Sequence, residues 1–171
     1  ADYQVPLDAN KKPAFYKVGI TRNQVNRNDF KLTPLTESEE NFTFVAIGDP
    51  QCSNNKEVSR YQNETINDIV NTLSSNQIAG KYKNAYAMTL GDIVNDTPEM
   101  WEKLVASMEN VQIGSNKYLP IFQCIGNHDH NAKASSDMTA VENFNSHFGP
   151  TDYSFNRGKA HIVVMDNVVC T

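Results

Sequence analysis

Three short stretches hold most of the chemical capacity of this chain: Gly48-Asp49-Pro50-Gln51, Gly91-Asp92-Ile93-Val94-Asn95-Asp96 and Gly126-Asn127-His128-Asp129-His130. Each follows an apolar run and begins with glycine, which lets the backbone turn sharply and approach a ligand closely. Carboxylate and amide oxygens are hard-to-borderline donors, suited to cations. One carboxylate can bridge two cations, and a neutral amide binds without adding negative charge. Taken singly, Gly-Asp after a strand is usually a turn. Gly-Asn-His-Asp alone reads as a left-handed turn running into a helix cap, and a lone histidine as a surface or satisfied one. Three such endings in succession are much harder to explain as turns.

The elements that must position them follow from periodicity. "FTFVAIG" (42–48), "NAYAMTLG" (84–91) and "YLPIFQCIG" (118–126) are apolar runs of strand length ended by glycine. Between them, residues 56–74 place Val58, Tyr61, Ile66, Ile69, Val70 and Leu73 at near-helical spacing. Pro98 opens a second helix over 98–108, with an apolar stripe containing Trp101. A third helix is expected over 136–149, ending near Gly149. A hairpin is expected over 152–167, turned by Asn156-Arg157-Gly158. Alternating strands and helices imply βαβ crossovers and a largely parallel sheet, and such sheets bind ligands beyond the carboxyl ends of their strands. Asp49, Asp92 and Asn127 would meet there. Residues 1–41 read differently: "KPAFYKVGI" (12–20) has short β character and 26–41 is a polar connector.

Composition narrows the classes. The 171 residues suit one domain with a real core. The net charge of −5, with no long run of one sign, gives no basic patch for nucleic acid, and no apolar stretch is long enough to span a bilayer. Cys52, Cys124 and Cys170 show neither C-x-x-C nor zinc-finger spacing. A dinucleotide-binding domain is disfavoured because no G-x-G-x-x-G follows the first strand.

The set "GDPQ" (48–51), "GDIVND" (91–96) and "GNHDH" (126–130) resembles the calcineurin-like metallophosphoesterase superfamily over roughly 42–171. Its pattern is Asp-x-His, Gly-Asp-x-x-Asp/Asn and Gly-Asn-His-Asp/Glu, followed by later histidines. The resemblance implies an α/β fold of the metallophosphoesterase-type α/β/β/α sandwich, built around two metal ions (Fe, Mn or Zn) and hydrolysing phosphate esters. By position, Asp49 would hold the first metal and Asp92 would bridge both. Asn127 would bind the second metal and touch the phosphate. His128 would protonate the leaving group or steady the phosphate, with Asp129 orienting its ring. Residues 1–41 are similar to the end of a small β module preceding the catalytic domain in bacterial members, many of them exported, which implies a periplasmic or extracellular location.

Two departures stand out. Gln51 occupies the position of a metal-binding histidine; its carbonyl oxygen can still coordinate, so it remains a metal candidate. The later histidines of the pattern are not found before Thr171. The expectation is therefore the N-terminal part of the catalytic domain, truncated at its C-terminal side, with a C-terminal fragment or a second copy covering that side. A non-catalytic metal- or phosphate-binding remnant is the alternative. His161 is not expected to bind metal, His130 is a candidate to support the site from behind, and His147 and Trp101 read as structural.

Overall fold

Strand alternation decides what each face of the sheet meets. In the computed structural model, which describes residues 3–36, 38–75 and 84–169, strands β1 (Phe42–Ile47), β2 (Asn84–Leu90) and β5 (Ile121–Cys124) form a parallel sheet in the order β1-β2-β5. Ala85 to Thr89 of the central strand are all buried, as a parallel strand covered on both faces requires. Ala85, Ala87 and Ile121 point into the larger core, while Tyr86, Met88 and Phe122 point into a second one. The architecture is α/β around a parallel sheet, as expected.

Helices cover the first face. The Asn54 side chain accepts from the N–H groups of Lys56 and Glu57, capping α1 (Asn55–Arg60). The helix continues through a π-helical stretch, Tyr61–Ile66, into α2 (Asn67–Ser74). Pro98 starts a 3-10 turn (Pro98–Met100) leading into α3 (Trp101–Ser107). Val58, Tyr61, Ile66, Leu73, Trp101, Leu104 and Val105 bury against the sheet from these helices.

The second face is covered by a hairpin of β6 (Tyr153–Arg157) and β7 (Ala160–Val164). Phe122 stacks on Phe155 with ring centroids 4.3 Å apart, and Phe15 lies 4.7 Å from Tyr153. Tyr153 Oη donates to the Gln123 carbonyl oxygen at 2.7 Å. Arg157 sits over the Tyr86 ring at 5.0 Å and donates to the Tyr3 carbonyl oxygen and to the buried Glu39 carboxylate. The buried glutamate therefore keeps a hydrogen-bonded cationic partner.

Four expectations shift. The third strand starts after Pro120, because proline has no N–H for a ladder. Lys117–Tyr118 (β4) instead pairs with Gln112–Gly114 (β3) in a separate small hairpin. The 136–149 helix splits into α4 (Asp137–Ala140) and α5 (Glu142–Phe148), with the Ala140 carbonyl taken by the Asn131 N–H rather than by a helical partner. The β6–β7 turn falls at Gly158-Lys159 instead of 156–158. Gly158 has φ +52°, and a Cβ there would lie 2.4 Å from the Glu39 carbonyl oxygen. Residues 12–20 form no strand. The described part of the N-terminal segment holds only the isolated bridges Tyr3–Pro34 and Leu7–Pro13, and it contributes Phe15 to the second core. Cys52 and Cys124 are free thiols; Cys170 lies outside the described residues. Among the described residues no helix is long and apolar enough to cross a membrane.

The aromatic stack should be the main tie between hairpin and sheet. Phe122→Ala should lower stability by about 3–5 kcal/mol in urea unfolding followed by Trp101 fluorescence. A loss near that of an exposed substitution would mean that the hairpin does not pack there.

Candidate active site at the sheet edge

The strands end almost level. Ile47 pairs in register with Thr89, and Leu90 with Cys124, so the three glycine-led loops leave the sheet side by side. Backbone bonds then join them. Gln51 N–H donates to the Asp92 carbonyl oxygen at 2.8 Å, and Cys52 forms a parallel bridge with Val94. Asn95 Nδ2 donates to Ser53 Oγ at 3.2 Å.

The link to the third loop is the Asp129 carboxylate. Its Oδ1 accepts from the N–H groups of Ile93 and Val94 at 2.8 and 3.0 Å, and its Oδ2 from Gly126 N–H at 2.9 Å. Asp129 is only 3 % exposed. Burial pushes its carboxyl up to about 6, against the opposing pull of the three N–H bonds. This corrects one expectation. Asp129 points inward to hold the loops and does not orient His128.

The ring partner is Asp96, a residue that motif reading passed over. His128 Nδ1 lies 2.9 Å from Asp96 Oδ2. A carboxylate only accepts, so Nδ1 carries the hydrogen and Nε2 is the nitrogen left for a ligand. The bond to Asp96 raises the His128 pKa above the usual imidazole value, with Asp96, Asp92 and Asp129 adding coulombic support against partial desolvation.

Asp92 sits between the first and third loops. Its Oδ2 accepts from Gln51 Nε2 at 3.0 Å and its Oδ1 from His128 N–H at 3.0 Å. A side chain at position 126 would collide with it, since a Cβ on Gly126 would fall 2.2 Å from Asp92 N and Oδ1. Asp49 (φ +34°), Gln51 (φ +40°), Asp92 (φ +47°) and Asp96 (φ +54°) all hold left-handed backbone conformations, the kind of strain that concentrates at functional sites. Asp49 and Asn127 are exposed on the same loops, and neither side chain makes a hydrogen bond among the described residues.

Behind the third loop lies a second pair. His130 Nδ1 bonds the Gly126 carbonyl oxygen at 2.9 Å, and Nε2 lies 3.0 Å from Asp166 Oδ2. Asp166, just past β7, gave no signal in the sequence beyond its place after a strand. His161 meets its cross-strand neighbour Asn156 on the exposed hairpin, away from the loops. His147 stacks on Trp101 at 5.5 Å.

The expected metal donors are hard oxygens, the Asp49 and Asp92 carboxylates and the Gln51 and Asn127 amides, on loops that leave the same sheet edge; among the described residues only Gln51 and Asp92 meet side chain to side chain. Such a set fits an oxygen-preferring cation. Gln51 now turns its NH₂ toward Asp92, and exchanging its amide ends would present oxygen. Among the described residues no group of three or more His, Cys, Asp or Glu side chains is arranged around a common point for a metal. No family model, curated protein or solved structure matches this chain.

Asp129→Ala should strand the buried N–H groups of Ile93 and Val94 and the half-buried one of Gly126. At about 1–3 kcal/mol for each unsatisfied group, the expected loss in urea unfolding is several kcal/mol, far more than for Asp49→Ala. A second test follows the His128 proton. Because its folded pKa is raised, the contribution of the His128–Asp96 pair to stability is present below the unfolded histidine pKa and lost as pH rises through the folded one. The pair is solvent-exposed, so that contribution is small. In an NMR titration of the metal-free chain, Asp96→Asn should move the His128 midpoint to lower pH. An unmoved midpoint would remove Asp96 as its partner.

Proposed function

We propose that this chain belongs to a metal-dependent hydrolase of phosphate esters, of the calcineurin-like type, acting at the edge formed by the 48–54, 91–97 and 125–131 loops. The observation that carries the reading is His128, held through Nδ1 by Asp96, on a loop whose backbone is fastened to Asp92. A helix-covered parallel sheet with a β-hairpin on its other face is compatible with one half of an α/β/β/α sandwich.

Asp49, Asp92 and Asn127 would hold the cations, two in the superfamily pattern, with Gln51 as a further oxygen donor. When bound, the cations would neutralise charge on the phosphoryl oxygens and activate water near neutral pH. The chain's own residues account for the rest. His128, its ring oriented through Nδ1 by Asp96, would deliver a proton from Nε2 to the departing oxygen, so that the alcohol leaves neutral. Asp129 fixes the backbone on which His128 and Asp92 ride, and Gly126 keeps that backbone close to Asp92.

A second reading, a loop set that binds metal or phosphate without turnover, is favoured by Gln51, which stands where the superfamily pattern has a metal-binding histidine and whose NH₂ donates to Asp92 Oδ2. Steady-state hydrolysis of an aryl phosphate and an alkyl phosphate, with added Mn²⁺, separates the two. Hydrolysis lost in Asp92→Ala is expected from the enzyme. In His128→Ala a fall of about 10²–10⁴-fold is expected, larger for the alkyl ester, whose leaving group needs the proton more. Equal falls on both esters would deny His128 the role of acid, and no turnover by the native chain would favour the binding reading.

A further inference from the structure

Beside His128 opens a cavity of about 450 Å³, within the size range of small-molecule sites. One wall is a helical stripe. Glu142 and Asn143 lie four and three residues before Ser146 on one face of α5, and Thr139 of the preceding α4 joins them along the cavity. The opposite stripe, Ala140, Phe144 and Phe148, is buried in the core. The polar face of α5 is therefore turned toward the open cavity, where Glu142, Asn143 and Ser146, like Lys133, remain exposed to solvent. Lys133 lines the same space, and Val94 and Trp101 lie beneath it.

The hydrogen-bond inventory of this wall is specific. The Thr139 hydroxyl is used in the Ser136 cap, and the Ser146 hydroxyl donates to the Asn143 carbonyl oxygen. The Glu142 carboxylate, the Asn143 amide and the Lys133 ammonium make no hydrogen bond or ion pair among the described residues. They offer an acceptor, a donor-acceptor pair and a donor, with the charges of Glu142 and Lys133 offsetting each other. A group that donates and accepts at several points and carries no net charge matches that set. Alcohol hydroxyls do this; a hydrocarbon seated there displaces water from all three without replacing its hydrogen bonds, and a further anion or cation faces repulsion from one of the two charges.

We infer that this cavity receives the organic half of the ester, and that this half is a neutral polyhydroxylated group of monosaccharide size. The inference rests on the phosphoesterase reading only for the phosphate; the hydroxyl site stands on its own residues. The substrate class is then a sugar or polyol phosphate, with the phosphate at the His128 end and the hydroxyls along α5.

The chain has one tryptophan, Trp101, and it borders the cavity, so binding can be read without turnover or metal. Titration of the metal-free chain with a neutral monosaccharide should give a saturable change in Trp101 emission, confirmed by calorimetry, and cyclohexanol should not. Asn143→Leu and the milder Glu142→Gln should each weaken the monosaccharide about tenfold, the effect of one hydrogen bond of about 1.4 kcal/mol. With the Mn²⁺-loaded chain, kcat/KM should favour a hexose phosphate over a simple alkyl phosphate, and Asn143→Leu should shrink that ratio by a similar factor. Monosaccharide binding without hydrolysis of any ester would remove the phosphoesterase reading and keep the cavity assignment. Absence of saturable binding, equal binding of cyclohexanol, or ester hydrolysis with no preference for the hexose phosphate would each overturn the cavity assignment.

Discussion

The Asp129 carboxylate takes the backbone N–H groups of Ile93, Val94 and Gly126 inside the protein, and the loops at the sheet edge depend on it. Loops leaving a parallel sheet carry N–H groups that the ladder no longer serves, and burying them unpaired is costly. One anion with two oxygens satisfies three of them. It thereby binds the second loop to the third, and Asp92 and His128 follow because they lie on those segments.

The remaining bonds extend from that anchor. Asp92 accepts from Gln51 on one side and from the His128 N–H on the other, so the first loop joins the other two. Asp96, at the end of the second loop, reaches the His128 ring. His130, one residue past Asp129, ties the third loop to Asp166 beyond the hairpin. The hairpin is itself held on the sheet by Phe122, Phe155 and Tyr153. The apolar packing of the second core and the polar arrangement of the edge are thus continuous through one buried histidine-carboxylate contact.

Electrostatics divides the carboxylates into two groups. Asp129 is enclosed, and desolvation raises its pKa although every one of its hydrogen bonds favours the anion. Asp49 and Asp96 lie on the water side. Asp49 remains free of hydrogen bonds among the described residues, and Asp96 meets an imidazole. The enclosed group serves structure and the exposed ones are available to chemistry, an allocation set by burial more than by residue type.

Much of this was legible from residue order. Alternating apolar runs determined the parallel sheet, because a strand covered on both faces is largely apolar, as the buried run Ala85 to Met88 is. The glycine-led endings determined that Asp49, Asp92 and Asn127–Asp129 share one edge, because consecutive parallel strands end on the same side. What only the folded chain decided was which side chain meets which. Asp129 adjoins His128 in sequence, yet backbone geometry sends its carboxylate inward to Ile93 and Val94. The ring is met by Asp96, 32 positions away. Asp166 reaches His130 only because the hairpin folds back over the sheet. The cavity beside α5 also required tertiary structure. A polar helical stripe has the same pattern whether it faces open water or a wall, and only the packing of the 131–133 loop and α3 around it supplies the wall.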